Sequence, residues 1–164
     1  MNRAPPAVVL DHPLVRHHLA RLRDASTPPA EFRGAVRALS MLLAYEALRD
    51  LPMRRTSVRT PLESTAATRV RGRIGLVLDP MLATGGSAIA ALRAVRDWGV
   101  KRVKLLAVIA APEGLRAVRS AFPDAGVFIC ARDRRLNDRG YILPGLGDAG
   151  DRQFGTVPPL CTAR

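Results

Sequence analysis

Three apolar runs in the second half of the chain are too uniform to be helical faces: Ile74 to Leu78, Val103 to Ala110 and Gly126 to Ala131. Near-continuous apolarity over that length, broken only by Lys104, marks strands covered on both sides, as in a parallel sheet. Between them, Ser87 to Trp98 and Leu115 to Phe122 carry apolar residues at helical spacing. Gly99 is placed to cap the first of these helices, and Ala111-Pro112-Glu113-Gly114 to turn into the second. Strand and helix alternate, so the second half is expected to be a right-handed parallel α/β sheet. The first half reads as helical. Pro13 suits a first helical position, and Leu14, Val15, His18, Leu19 and Leu22 share one face. Ser26-Thr27-Pro28-Pro29 leads into a helix from Pro29 to Leu48 that buries Phe32, Val36, Leu39, Leu43 and Ala47. Asp50-Leu51-Pro52 ends it, because a residue before proline avoids the helical region. A short strand is expected at Thr56 to Thr60, with a turn and a second short strand between Pro61 and Gly72. No internal repeat is visible.

A chain of 164 residues with 48% hydrophobic content can bury the core of a single domain. The expected division is a helical arm over 1–52 and an α/β part over 74–164. No apolar run approaches eighteen residues, and Met1 to Pro6 is followed by no long apolar segment, so neither a membrane span nor a signal peptide is expected. Cys130 and Cys161 lack metal or redox spacing, which favours a reducing, cytoplasmic setting. His12, His17 and His18 have no nearby carboxylate or thiol set to complete a metal site. The net charge of +12 permits nucleic-acid binding. However, the arginines are spread along the whole chain, and the densest stretch, Arg49 to Arg73, reads as a solvated face. Aromatics are only 4%, so stacking platforms for bases are scarce and nucleic acid is not the expected partner. A polyanionic substrate explains the sign equally well.

The candidate chemistry begins where the first apolar run ends. Asp79 is followed by Pro80, Met81 and Leu82, then by the small turn Ala83-Thr84-Gly85-Gly86-Ser87 and a helix. Strand, small turn and helix together aim unpaired amides and the positive helix end at one point, which suits a phosphate. The turn has neither a Gly-Lys-Ser/Thr ending nor G-x-G-x-x-G, and an ordinary connection with a Ser or Thr N-cap remains open. Asp79 at a strand's carboxyl end favours a sugar phosphate, its carboxylate taking ribose hydroxyls. Farther on, Gly140 to Gly150 holds a glycine-dense loop that is expected to be neither helix nor regular strand. It is either a plain surface loop or a frame whose backbone reads a planar base such as uracil, with Asp148 beside it.

These motifs resemble the uracil phosphoribosyltransferase family. The likeness covers Asp79 to Ser87, Ala110 to Gly114, Leu136-Asn137 through Gly155-Thr156, and the front segments His12 to Val15 and Met41 to Glu46. The resemblance implies a type I phosphoribosyltransferase α/β fold, a Rossmann-like parallel sheet flanked by helices, and an enzyme making UMP and diphosphate from uracil and phosphoribosyl pyrophosphate. It implies that Asp79 to Ser87 and Asp148 bind phosphoribosyl pyrophosphate, with Asp79 and Asp148 catalytic. Ile142, Gly147, Asp148 and Ala149 would bind uracil. It further implies Mg²⁺ carried by the diphosphate with no direct protein ligand, GTP as a candidate activator, and a homodimer or larger homo-oligomer built through the amino-terminal helices. One family segment is missing. Gly72-Arg73 runs directly into Ile74 to Asp79, without the loop and arginines that bind pyrophosphate in the family, so the sheet is expected to be shortened by about one strand-helix unit. A non-catalytic UMP- or uracil-binding homologue is the alternative.

Overall fold

The computed structural model describes residues 6–156. The first half opens with β1 (Val8–Val9), followed by helices α1 (Pro13–Arg23) and α2 (Pro29–Ala47). A hairpin, β2 (Met53–Arg59) and β3 (Ser64–Val70), leads into β4 (Gly75–Leu82), α3 (Gly86–Asp97), β5 (Val103–Ala110), α4 (Pro112–Ala121) and β6 (Gly126–Arg132). The tail adds β7 (Arg135–Leu136), β8 (Ile142–Leu143) and α5 (Ala149–Phe154). The main sheet is parallel throughout, in the order β1-β6-β5-β4.

Every residue of β5 is buried, because it lies between two strands and between two helical layers. Leu105 and Ala107 face the α3 and α4 side, with Leu92, Leu115, Val118 and Ile129. Leu106 and Val108 face the α1 and α2 side, with Val15, Leu22, Phe32, Leu39 and Leu43. The sheet is therefore sandwiched as its continuous apolar run implies. Among the described residues no helix is long and apolar enough to cross a membrane.

Several elements depart from the sequence reading. The run Ile74 to Leu78 continues to Leu82 and is an edge strand, not one covered on both sides, so Leu78 is 59% exposed. Helix α4 starts three residues early, with Pro112 at its first turn. Leu14 faces solvent, and Ala35 is fully buried where Val36 is only half-buried. Strand β1 has only two residues, too short for a periodic signal. The glycine-dense tail is not all loop: β8 pairs antiparallel with β7, and a short helix starts at Ala149. Residues 53–70 form a seven-pair hairpin, from Met53↔Val70 to Arg59↔Ser64, longer than the strand expected at Thr56 to Thr60. Cys130 is buried, which pushes its thiol up to about 12. Cys161 lies outside the described residues.

Candidate phosphoribosyl site

The turn after β4 departs from the backbone path of any ordinary side chain. Gly85 is the N-cap of α3 at φ +91°, a left-handed position that glycine occupies without strain. No Ser or Thr caps the helix; the N-cap makes no side-chain hydrogen bond. Among the described residues the amides of Thr84, Gly85, Gly86 and Ser87 donate to no acceptor, and Thr84, Gly86 and Ser87 are exposed. Four unpaired donors at a positive helix end are an arrangement that suits an anion.

Helix α4 fixes the back of that turn. A Cβ on Gly114 would lie 2.4 Å from the Ala83 carbonyl oxygen and 2.9 Å from that of Leu82. A Cβ on Gly85 would meet the Gly114 carbonyl at 3.2 Å. The amide of Ala111 donates to the Leu82 carbonyl at 2.9 Å. Gly114 thus lets two backbones touch, the role that the Ala110 to Gly114 segment did not reveal from sequence alone.

Asp79 sits three residues upstream, at the edge of a cavity of about 220 Å³ that it shares with Val36, Ser40, Leu43, Leu78, Pro80, Leu106, Val108 and Gln153. Its Oδ1 accepts the Met81 amide at 3.0 Å. Burial raises its pKa above the ordinary carboxylate range, and the Met81 amide offsets part of that rise. A raised carboxyl pKa means that the folded state holds the proton more tightly than the unfolded one, so stability falls as pH rises through that interval. Asp79→Asn is therefore expected to melt above wild type at neutral pH, the difference closing as the solution is acidified into the ordinary carboxylate range. Thermal melts across pH check this, and affinity for a ribose phosphate is expected to fall in the same variant.

The tail is anchored by two arginines. Arg23 on α1 donates to both oxygens of Asp133, at 2.5 and 3.1 Å, and to the Gly145 carbonyl at 3.0 Å. Asp133 Oδ2 also accepts the Gly145 amide at 2.9 Å, and its side chain is only 3% exposed. Arg152 on α5 donates to the carbonyls of Leu22, Leu146 and Asp24 and stacks 4.5 Å above the Phe32 ring. These contacts hold Gly145 and Gly147, both at positive φ, around a cis Leu143–Pro144 bond.

Within the tail, Ile142 and Ala149 are buried, so they can offer a ligand only backbone, whereas Gly147 and Asp148 are exposed. Asp148 caps α5, with Oδ1 accepting the Asp151 amide at 3.0 Å. Gln153 of the same helix enters the cavity at Asp79, which joins the tail to the strand end. Sequence reading missed Arg23, Asp133, Arg152 and Gln153. The Arg132 to Arg135 stretch looks like surface charge, and the partner of Asp133 is 110 positions away. His12 caps α1, its Nδ1 accepting the Leu14 amide at 3.1 Å. Among the described residues no group of three His, Cys, Asp or Glu side chains is placed to hold a metal ion.

A parallel sheet with a glycine turn between a strand's carboxyl end and a helix, a carboxylate within the same strand and a glycine-rich tail fits a phosphoribosyltransferase-type α/β protein. The family model described as uracil phosphoribosyltransferase matches residues 9–77 and 68–156. The uracil phosphoribosyltransferase of Symbiobacterium thermophilum is 39% identical over 204 residues, covering 91% of this chain and 98% of its own. That of Roseiflexus castenholzii is 40% identical over 202 residues, covering 90% and 97%. Among solved structures, the AQ2163 protein from Aquifex aeolicus superposes with a TM-score of 0.88 at 29% identity, covering 93% of this chain and 100% of its own. The chain belongs to the uracil phosphoribosyltransferase family. Its alignment with the Symbiobacterium protein runs 204 positions yet takes in 91% of 164 residues, so about fifty positions face no residue here. The two matched segments overlap at residues 68–77, which places that gap at the entry to β4.

Proposed function

We propose that the chain transfers the phosphoribosyl group of phosphoribosyl pyrophosphate to uracil, yielding UMP and diphosphate, as a cytoplasmic enzyme of pyrimidine salvage. The observation that carries this reading is the set of amides from Thr84 to Ser87, unpaired among the described residues, at the start of α3 in the turn that follows the strand of Asp79. In the reaction a bond forms between the uracil ring nitrogen and the anomeric carbon while the bond from that carbon to the diphosphate oxygen breaks. Positive charge develops on the ribose ring. The turn holds the 5′-phosphate and so fixes the sugar, and Asp79 takes the ribose hydroxyls. The backbone at Ile142, Gly147 and Ala149 frames the base, with Asp148 beside it. Mg²⁺ carried by the diphosphate, with no direct protein ligand, would neutralise the leaving group.

A homo-oligomer belongs to the same reading. Val8, Val9, Leu14, Met41 and Tyr45 of the amino-terminal arm are exposed apolar side chains, a surface suited to another subunit. GTP as an activator rests on the family resemblance. The second reading, a UMP-binding protein without turnover, is favoured by the open edge of β4 where relatives carry additional residues. Absence of a fixed donor set for the leaving group typically costs about 10²–10³ in rate. Incubating labelled uracil with phosphoribosyl pyrophosphate and Mg²⁺ separates the two. Label in UMP, dependent on both partners, supports the transferase. UMP binding with no label transferred supports the second reading and overturns the first.

A further inference from the structure

The hairpin β2–β3 stands apart from the sandwich. Its strands pair with each other and with no strand of the main sheet, and every residue on one of its two faces is exposed. Between Leu51 and Leu78 the chain carries Arg54, Arg55, Arg59, Arg69, Arg71 and Arg73 against a single acid, Glu63. The register sets Arg54 directly opposite Arg69. The Arg71 amide donates to the Pro52 carbonyl at 2.7 Å and continues the ladder, so Arg71 shares their face. Arg55 and Arg59 emerge on the other face. Like charges directly opposite each other in a sheet are destabilising. Yet none of these hairpin arginines reaches a carboxylate among the described residues. Elsewhere arginines find acids, as Arg16 does in Asp11 and Arg96 in Asp124.

A substrate phosphate at the Gly85 turn does not account for this charge. Asp50, just ahead of the hairpin, accepts from Arg102 and Lys104 at the amino end of β5. The hairpin therefore leaves the body at the end of the sheet opposite that turn, with Arg54, Arg69 and Arg71 at its base. Its far end is closed and apolar. Thr60 Oγ1 accepts the amides of Leu62 and Glu63 at 3.2 and 3.0 Å, and Leu62, next to Pro61, is 95% exposed.

We propose that the hairpin is an arm for duplex DNA, its arginines on the phosphates and the Pro61-Leu62 tip against a base step of the minor groove. This surface lies apart from the proposed transferase site and stands whether or not that site turns over. A ribbon of seven pairs is about 20 Å long, more than half of a helical turn of the duplex. Arginine is a minor-groove residue, and an exposed proline or leucine is the kind of side chain that wedges between base steps there. Ser57, Ser64, Thr65 and Thr68 add hydroxyl donors for phosphate oxygens. The scarcity of aromatics argues against single strands, which need stacking platforms, and not against a duplex that is met through its phosphates.

Fluorescence anisotropy of the full chain with a labelled duplex of about two helical turns, across a salt series, reads affinity and the number of phosphates neutralised. Arg54→Ala combined with Arg69→Ala is expected to flatten the slope of log affinity against log salt by about two. The melting transition is expected to persist, because a repulsive pair is removed. Arg37→Ala combined with Arg93→Ala removes the same charge at exposed sites outside the hairpin that make no ion pair among the described residues, and is expected to leave the slope unchanged. Energy transfer between dyes at the two duplex ends is expected to report a bend with wild type that Leu62→Ser loses while keeping the wild-type salt slope. Excess UMP is expected to displace no duplex. Absent duplex binding, or equal losses from the two arginine pairs, overturns the arm as a DNA-binding surface. Displacement by UMP puts the duplex at the phosphate turn and overturns it as well. An unchanged bend with Leu62→Ser overturns the role of the tip, and tighter binding of a single strand than of the duplex overturns the choice of partner.

Discussion

Replacing Asp133 by alanine is expected to destabilise the protein by about 3–5 kcal/mol, the usual cost of leaving a buried ion-pair partner alone. Asp133 accepts from Arg23 and from the Gly145 amide, so its loss orphans a half-buried guanidinium and a buried backbone donor together. Denaturant titration of wild type and variant gives the difference directly. The combination Arg23→Met with Asp133→Leu is expected to regain most of it, because two apolar groups replace two charges. It does not restore an acceptor for the Gly145 amide, so UMP affinity is expected to stay below wild type in that variant. Equal stability of wild type and the Asp133→Ala protein would mean that the tail is not anchored through this pair.

Gly114→Ala is expected to act on the phosphate turn from behind. The new methyl group has no room at 2.4 Å from the Ala83 carbonyl oxygen, and the atom it meets is backbone, so the turn or α4 must move. Overpacking of that kind costs about 1–3 kcal/mol. The larger effect falls on function, because the four amides are useful only while they converge. UMP affinity is expected to fall by about two orders of magnitude, in line with loss of two charge-assisted contacts. Gly34→Ala is the control: a Cβ there meets nothing within 4 Å, and alanine in the interior of α2 is expected to add about 0.5–1 kcal/mol of stability. If Gly114→Ala binds UMP as wild type does, α4 does not position the turn.

The parts of the fold that were legible in the sequence are those where one local pattern decides the outcome. The seven apolar residues of β5, interrupted only by Lys104, read as a strand enclosed on both faces. The spacing in α2 identifies its buried side, apart from the exchange of Val36 for Ala35. The strand–turn–helix order around Gly85 was legible because small residues, a strand end and a helix start coincide. What the local pattern could not show is which neighbours each strand has. The run Ile74 to Leu78 reads as an interior strand and is an edge, because no strand of the described residues pairs with its outer side. The tail reads as loop because its glycines mask a two-residue strand and a short helix, both fixed by contacts with α1 and α2 more than a hundred positions away. The Arg23–Asp133 and Arg152 anchors were hidden for the same reason: charge among other charges carries no sign of burial until the chain is folded.

Calorimetric titration of UMP into wild type and into Gly86→Leu tests the central claim most directly. In the free protein a Cβ at Gly86 meets only the Thr84 hydroxyl, at 3.9 Å, and the residue is exposed, so the substitution leaves the fold intact. The added side chain stands where a phosphoryl group must approach the amides of the turn. The account predicts that wild type binds UMP and that Gly86→Leu, folded and equally stable, does not. Undiminished UMP binding by that variant would contradict it.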